Sequence, residues 1–165
     1  ALALLPRLAG VRGRMELAAN LPNGATVYVD YAHTPDALER LLAALRPHTR
    51  GRLIVVFGAG GDRDRGKRPL MGAIAAKGAD QAIVTDDNPR TEDPASIRAA
   101  IRAACPNALE IGDRVQAIEA GLNLLGAGDV LAIAGKGHEQ GQTIGATTLP
   151  FDDVAVVRRL SGPSA

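Results

Sequence analysis

FGAGGDRDRGKRP, residues 57–69, is the stretch that decides the fold of this chain. It separates an apolar, strand-like run ending at Phe57 from a helix that Pro69 can open in its first turn. In α/β proteins a glycine-rich, cation-rich loop between a strand and a helix binds anionic groups. Arg68 stands where a P-loop has the Ser or Thr that binds magnesium, and Arg63 stands at the third glycine of a dinucleotide-binding fingerprint, so neither motif is complete. Because six ionisable side chains crowd this loop, we interpret it as functional rather than as a solvated turn.

The composition argues against several classes of protein. The chain has 165 residues, enough for one domain with a substantial core, and a net charge of +1. Balanced charge and few aromatic residues argue against binding to nucleic acid, and no apolar run approaches the roughly 20 residues that cross a membrane. Cys105 is the single cysteine, so no internal disulfide can form, and a reducing cytoplasm suits the chain. His33 and His138 are too far from any Cys or paired His for a metal-binding spacing, so we predict no metal site.

Short apolar runs alternate with helix-like segments along the chain. The predicted strands are residues 26–30, which we take as the first, then 53–57, 81–85, 109–111 and 129–133, and two short strands near Thr143 and Thr148. The predicted helices are residues 35–46, 69–77 and 94–104, and two more that Asp113 and Asp152 can cap. This alternation predicts an α/β fold with a mostly parallel sheet, helices on both of its faces and a small antiparallel hairpin near the C-terminus.

Four polar motifs each follow a predicted strand directly, at residues 30–33, 58–68, 86–90 and 134–139. In an open parallel sheet the carboxyl ends of the strands share one edge, where ligands bind, so we predict that the four motifs form one site. The motifs contribute cations (Arg63, Arg65, Lys67, Arg68, Arg90 and Lys136) and anions (Asp87 and Glu139). This mixture suits a zwitterion or a phosphorylated substrate with carboxylates, which Arg can grip through two parallel hydrogen bonds. For Lys136 and its neighbours, phosphate contact and a plain glycine turn both remain open.

The motifs resemble, in sequence and in order, the C-terminal domain of the Mur ligases. They are DYAHTPD (30–36), GGDRDRGKRP (60–69), TDDNPR (85–90) and AGKGHE (134–139). The resemblance runs from about Gly13 to Asp153. It implies a Rossmann-like fold, with residues 1–20 as a linker or the end of a preceding central domain and residues 21–165 as the amino-acid-binding domain.

The resemblance also implies an activity, that of an ATP-dependent amide ligase. In the family, ATP phosphorylates a carboxylate of the nucleotide-linked peptide, and the amine of the incoming amino acid attacks the acyl phosphate. The motifs are similar to those of the member that adds meso-diaminopimelate to UDP-MurNAc-L-Ala-D-Glu in bacterial peptidoglycan synthesis. By position, the residues implied to bind diaminopimelate are Arg63, Asp87, Asn88, Arg90, Gly135 and Glu139. Those implied to approach ATP are Arg14, Asp30 and His33.

Arg90 is the residue on which selectivity would depend. Diaminopimelate carries a second carboxylate where lysine has none, and an Arg at this position would bind it. Leaving that carboxylate without its partner would cost on the order of a few kcal/mol.

One part of the family's machinery is missing from the chain. The complete P-loop and the magnesium ligands of Mur ligases belong to the central domain, and no complete P-loop occurs here. We therefore expect ATP and Mg²⁺ to be bound mainly outside this chain, no catalytic residue within it, and no ligase activity from it alone. The alternatives are a domain of another amide ligase of this superfamily, such as a cyanophycin or folylpolyglutamate synthetase, and a free-standing binding module. Arg63 at the third glycine position disfavours an NAD-type oxidoreductase.

Overall fold

The computed structural model describes residues 10–162, in which strands and helices alternate. In chain order the elements are β1 (Glu16–Asn20), β2 (Thr26–Asp30), α1 (Pro35–Leu45), β3 (Leu53–Phe57), α2 (Lys67–Gly78), β4 (Gln81–Val84), α3 (Pro94–Arg102), β5 (Leu109–Glu110), α4 (Arg114–Leu124), β6 (Val130–Ala134), β7 (Gly141–Ile144), β8 (Thr147–Pro150) and α5 (Asp153–Ser161). A short 3-10 turn, Arg46–His48, follows α1. Across residues 10–162, every helix is too short or too polar to cross a bilayer.

Six of these strands form one sheet in the order β1-β2-β6-β3-β4-β5. Every neighbouring pair is parallel except β1 and β2, which are antiparallel. All five side chains of β3 and all five of β6 are buried, as expected for central strands covered on both faces. β7 and β8 form a separate antiparallel hairpin. The predicted α/β architecture, with its mostly parallel sheet and C-terminal hairpin, is confirmed.

Helices cover both faces of the sheet, and each face has its own apolar core. On one face α1, α2 and α3 pack around Leu42, Met71 and Ile101. On the other, α4 and α5 pack around Ile118 and Val157. Each such aliphatic side chain stabilises the fold by about 1.5–3 kcal/mol when it leaves water. Because side chains pack against both faces of the sheet, the carboxyl ends of its strands are held in fixed positions relative to one another.

Capping side chains explain where four of the helices begin. Thr34 accepts a hydrogen bond from the first turn of α1, and Asp93, Asp113 and Asp152 do the same for α3, α4 and α5. The start of α2 differs from the prediction, because the helix begins two residues before Pro69 and has no side-chain cap. Pro69 lies inside the first turn, where its missing N–H would have had no partner within the helix.

The sequence analysis missed β1, which is an edge strand. Its sequence, ELAAN, has no β-branched residue, and its pairing with β2 is interrupted by a bulge between Leu17 and Ala19. Residues 26–30 are therefore the second strand and not the first. The domain boundary after residue 20 stays a prediction, and residues 1–9 of the predicted linker lie outside the described part of the chain.

Candidate functional site

A pocket of about 610 Å³ opens where the loops after β2, β3, β4 and β6 meet, at the carboxyl edge of the sheet. Seven of the nine predicted site residues line it: His33, Arg63, Asp87, Asn88, Arg90, Gly135 and Glu139. The remaining lining residues are Tyr31, Thr34, Pro35, Ala59, Gly60, Asp64 and Lys67. Arg14 and Asp30, the other two predicted residues, lie outside the lining. The structure thus brings together parts of all four motifs.

Arg90 is held in place through its backbone and its side chain. Its φ of 52° is uncommon for a residue with a side chain. The backbone N–H donates to Thr143 O at 3.1 Å, and the carbonyl accepts from Gly145 N at 2.6 Å, which ties the turn to the β7–β8 hairpin. Nη1 donates to Gly61 O at 2.9 Å. A guanidinium has five donors, so this bond orients Arg90 without exhausting it.

The charged stretch 58–68, which runs from the loop after β3 into the first turn of α2, directs its arginines to two different sides. Arg63 lines the pocket, whereas Arg68 is buried and grips Glu92 through hydrogen bonds of 2.9 and 3.0 Å. Arg65 lies 3.5 Å from the same carboxylate. The prediction that Arg65 and Arg68 supply cations to the site is therefore wrong. Glu92 from the next loop attracts both, and a buried guanidinium requires such a partner.

Glu92 fastens the loop after β3 to the loop after β4, and the sequence analysis did not identify it. It also accepts from Asp62 N at 2.8 Å, while the Asp62 side chain accepts from Thr91 Oγ1 at 2.7 Å. The hydrogen bonds from Arg68 hold the pKa of Glu92 down at about 2. The one available signal was an acidic residue shortly after Arg90, opposite a cation-rich loop. Because the pocket arginines lie on these two loops, the contact sets their spacing.

Lys136 is completely buried behind the pocket wall. Its ammonium donates to Asn88 Oδ1 at 2.8 Å and to Gly141 O at 2.9 Å, and lies 3.6 Å from Asp87 and 3.7 Å from Glu139. Burial lowers the pKa of Lys136, and the Asp87 carboxylate opposes that shift. In this structure the Lys136 ammonium is bonded to the protein and is not among the groups that line the pocket. Among the described residues, no group of three or more His, Cys, Asp or Glu side chains is placed to hold a metal ion.

Gly135 makes the close approach of two loops possible. Its φ is +120°, and a Cβ at this position would lie 2.6 Å from Asp87 Oδ2. Only a glycine combines that backbone conformation with that contact. The Asp87 carboxylate can therefore lie directly against the loop that follows β6.

The three residues implied to approach ATP lie around Tyr31, at one end of the pocket. The Arg14 guanidinium carbon lies 4.9 Å from the centre of the Tyr31 ring, and the His33 ring centre lies 4.5 Å from it. His33 Nδ1 is 2.7 Å from Tyr31 O, a carbonyl that accepts when Nδ1 carries the proton. Asp30 accepts from Met15 N and from Ala32 N, both at 2.8 Å. Its carboxylate thus fixes the backbone that presents the two rings and the guanidinium.

Comparison with known proteins assigns the chain to a family. The model for "Mur ligase, glutamate ligase domain" matches residues 13–137, which is most of the chain. The chain belongs to the Mur ligase family. The match ends before Glu139 and the β7–β8 hairpin, so these parts of the site rest on the structure and on individual relatives.

Individual relatives cover the chain almost completely. A UDP-N-acetylmuramoyl-L-alanyl-D-glutamate–2,6-diaminopimelate ligase of Caulobacter vibrioides is 63% identical over 99% of this chain and 34% of its own length. The ligase of the same name from Mesorhizobium japonicum is 62% identical over 96% of this chain and 33% of its own. A solved structure of such a ligase matches with a TM-score of 0.87 and 45% identity, over 96% of this chain and 33% of that one. The chain therefore spans about a third of the length of the relatives it matches.

A buried ion pair between Arg114 and Asp153 holds two of the pocket loops in this Mur ligase domain. The Arg114 guanidinium donates two hydrogen bonds of 2.8 Å to Asp153, and both side chains are 0% exposed. It also donates to Ala134 O at 3.2 Å and to Asp86 O at 3.3 Å, at the starts of two pocket loops. Burial works against the charged guanidinium, but the Asp153 carboxylate outweighs it and holds the pKa of Arg114 above its usual value. Sequence patterns did not reveal this pair, because its partners are 39 residues apart.

Proposed function

We propose that this chain is the C-terminal, amino-acid-binding domain of an ATP-dependent amide ligase. The ligase would add meso-diaminopimelate to UDP-MurNAc-L-Ala-D-Glu in cytoplasmic peptidoglycan synthesis. The observation that carries the proposal is the charge pattern of the pocket, in which the cations Arg63, Lys67 and Arg90 share one cavity with the carboxylates Asp64, Asp87 and Glu139. Diaminopimelate has two carboxylates and two ammonium groups. The 45–63% identity to ligases named for this amino acid supports the same reading.

Different polar groups of the pocket would bind different groups of the amino acid. Arg63 and Arg90 would each hold a carboxylate of the amino acid through charge-assisted hydrogen bonds. Asp87 and Glu139 would accept from its ammonium groups. Because Arg90 is held by Gly61 O and by the hairpin, its guanidinium is oriented before the amino acid arrives, which lowers the entropy cost of binding.

The rest of the reaction would need groups outside this chain. ATP, with Mg²⁺, supplies the phosphoryl group that activates the dipeptide carboxylate, and most of its contacts would come from a preceding central domain. Within this chain Arg14 and His33 would face the nucleotide, since they lie exposed around Tyr31 at one end of the pocket. Asp30 would act by holding their backbone. This chain alone would bind the amino acid and form no amide.

Other amide ligases of the superfamily share the fold, but their likeness to this chain gives less support for a different substrate. A folylpolyglutamate synthase/dihydrofolate synthase from Yersinia pestis matches with a TM-score of 0.62 at 20% identity, which indicates a common fold and nothing about the substrate. A free-standing binding module would bind the amino acid and would stay inactive when joined to the remaining domains. The test below separates both readings from the proposal.

The test combines calorimetry on this chain with a hybrid enzyme. In the hybrid, this chain replaces the matching 34% of the Caulobacter vibrioides relative. Meso-diaminopimelate and L-lysine are each titrated into the chain and supplied to the hybrid together with ATP and the nucleotide dipeptide. Arg90→Ala should weaken diaminopimelate binding and raise its KM by about 10- to 100-fold, as expected for one lost charged contact of 1.5–3 kcal/mol.

Arg65→Ala is the matched control, because Arg65 belongs to the same charged loop network but contacts Glu92. It should leave the diaminopimelate KM unchanged. Equal use of diaminopimelate and lysine by the hybrid would overturn the assigned substrate. A hybrid that binds diaminopimelate but forms no amide would favour the binding module.

A further inference from the structure

The environment of Lys136 suggests a role beyond charge neutralisation. Its side chain is 0% exposed, and its ammonium is surrounded by groups from the loop after β4, the loop after β6 and the start of β7. Two of its neighbours are the pocket carboxylates Asp87 and Glu139, and a third is the side-chain amide of Asn88. A buried ammonium is retained only where its donors are satisfied, so this contact with Asn88 is a fixed part of the structure.

Two donors converge on the same atom of Asn88. Lys136 Nζ donates to Oδ1 at 2.8 Å, and Thr143 N donates to Oδ1 at 2.9 Å. An ammonium and a backbone N–H can only donate, so a flipped amide would place its NH₂ group against two donors. The orientation of Asn88 is therefore imposed by its neighbours. Its amide nitrogen lies on the other side, 3.3 Å from Glu139 Oε2.

We infer that Lys136 is a positioning residue that fixes Asn88 as a hydrogen-bond donor on the pocket wall. The inference rests on the proposed function and adds a determinant of how the amino acid is oriented. A fixed donor binds a carboxylate and cannot accept from an ammonium group. Asn88 would thus direct a carboxylate of the amino acid to its own side, while the ammonium groups go to Asp87 and Glu139.

The positive charge of Lys136, within the AGKGHE motif, would be needed to orient Asn88. A neutral side chain of the same length would fill the space but would remove the charged donor to Asn88 Oδ1 and leave the weaker hydrogen bond from Thr143 N. The amide would then be held less firmly in the orientation that presents its NH₂ group to the carboxylate, and binding would weaken. The effect should appear in the affinity for the amino acid and not in the affinity for ATP.

The test uses the hybrid enzyme and three variants. Lys136→Met removes the donor and keeps much of the volume. Asn88→Asp keeps the contact with Lys136 but replaces the amide nitrogen by an acceptor. Arg52→Met is the control, since Arg52 also bonds a carboxylate and a carbonyl, Asp129 and Leu124, far from the pocket.

Steady-state kinetics and melting temperatures are measured for each variant. We expect Lys136→Met and Asn88→Asp each to raise the diaminopimelate KM by about tenfold or more, with the ATP KM within twofold of the unmodified hybrid. Arg52→Met should lower the melting temperature and leave both KM values unchanged.

Three results would overturn the inference. The first is a Lys136→Met variant whose melting temperature falls, as that of Arg52→Met does, while its diaminopimelate KM stays the same; Lys136 would then be merely structural. Unchanged kinetics in Asn88→Asp would show that no donor is needed there, and this variant decides the question if Lys136→Met fails to fold. An unmodified hybrid that forms no amide with diaminopimelate would instead overturn the proposed function, and this inference with it.

Discussion

Replacing Asp153 by Asn should cost this domain about 3–5 kcal/mol of unfolding free energy, because the Arg114 guanidinium is left buried without a counter-charge. Asn keeps the size of the side chain but carries no charge. It offers one acceptor oxygen where the carboxylate offered two, and its NH₂ group faces a guanidinium that can only donate. The perturbation is therefore electrostatic, with little change in volume.

The size of this loss in unfolding free energy follows from the contacts of Asp153. Asp153 receives two hydrogen bonds of 2.8 Å from Arg114, and neither side chain is reached by solvent. Charge-assisted bonds contribute about 1.5–3 kcal/mol each, so losing one and weakening the other to a bond with a neutral acceptor gives a range that overlaps the cost of breaking a buried pair. For a chain of this size, 1 kcal/mol shifts the melting temperature by about 2–4 °C. The expected fall is roughly 6–20 °C.

The assay is denaturant and thermal unfolding followed by far-ultraviolet circular dichroism, since the chain has no Trp to report by fluorescence. Asp152→Asn is the matched control, one residue earlier. Asp152 caps α5 and pairs with the largely exposed Arg12, and an Asn also caps a helix, so this change should cost less than about 1 kcal/mol.

Two outcomes would refute the reasoning. One is an Asp153→Asn variant that loses no more stability than Asp152→Asn. The other concerns the double variant Arg114→Met with Asp153→Leu. It removes both charges together and should recover much of the loss. If it were as unstable as Asp153→Asn, the cost would come from packing and not from an unpaired charge.

Two further predictions concern the loops of the pocket. The pKa of Glu92 is held at about 2 against an ordinary value of 4.5, so its stabilising effect is complete above pH 4.5 and is lost as the pH falls from 4.5 to 2. The difference in unfolding free energy between the wild type and Glu92→Gln should therefore shrink over that interval, and a constant difference in acid denaturation experiments would contradict the role of Arg68. Gly135→Ala should destabilise the domain by at least 1–3 kcal/mol, by order of magnitude, and weaken diaminopimelate binding, because its Cβ would press on Asp87. Gly24→Ala, between β1 and β2, also has a positive φ, +89°, but open space around it and no place in the pocket lining, so calorimetry should show normal binding in that control.

Most of the fold could be predicted from the sequence because its signals are local. Caps at Thr34, Asp93, Asp113 and Asp152 mark helix starts, and buried apolar runs mark the central strands. The exception is β1, whose residues have weak strand preference. It forms because β2 offers it a partner, and that partner is a neighbour only after the chain turns back.

The sequence by itself determined that the polar motifs lie at one edge of a parallel sheet, because each follows a strand and parallel strands end together. Only the tertiary structure decided which side chains face the pocket. Arg63 and Arg68 are the same residue type within one charged stretch, yet Glu92 from the loop after β4 turns Arg68 away from the pocket. Lys136 is likewise drawn inward by Asn88. Strand and helix periodicity is a local property of the chain, whereas a loop side chain points to whatever distant partner satisfies its charge.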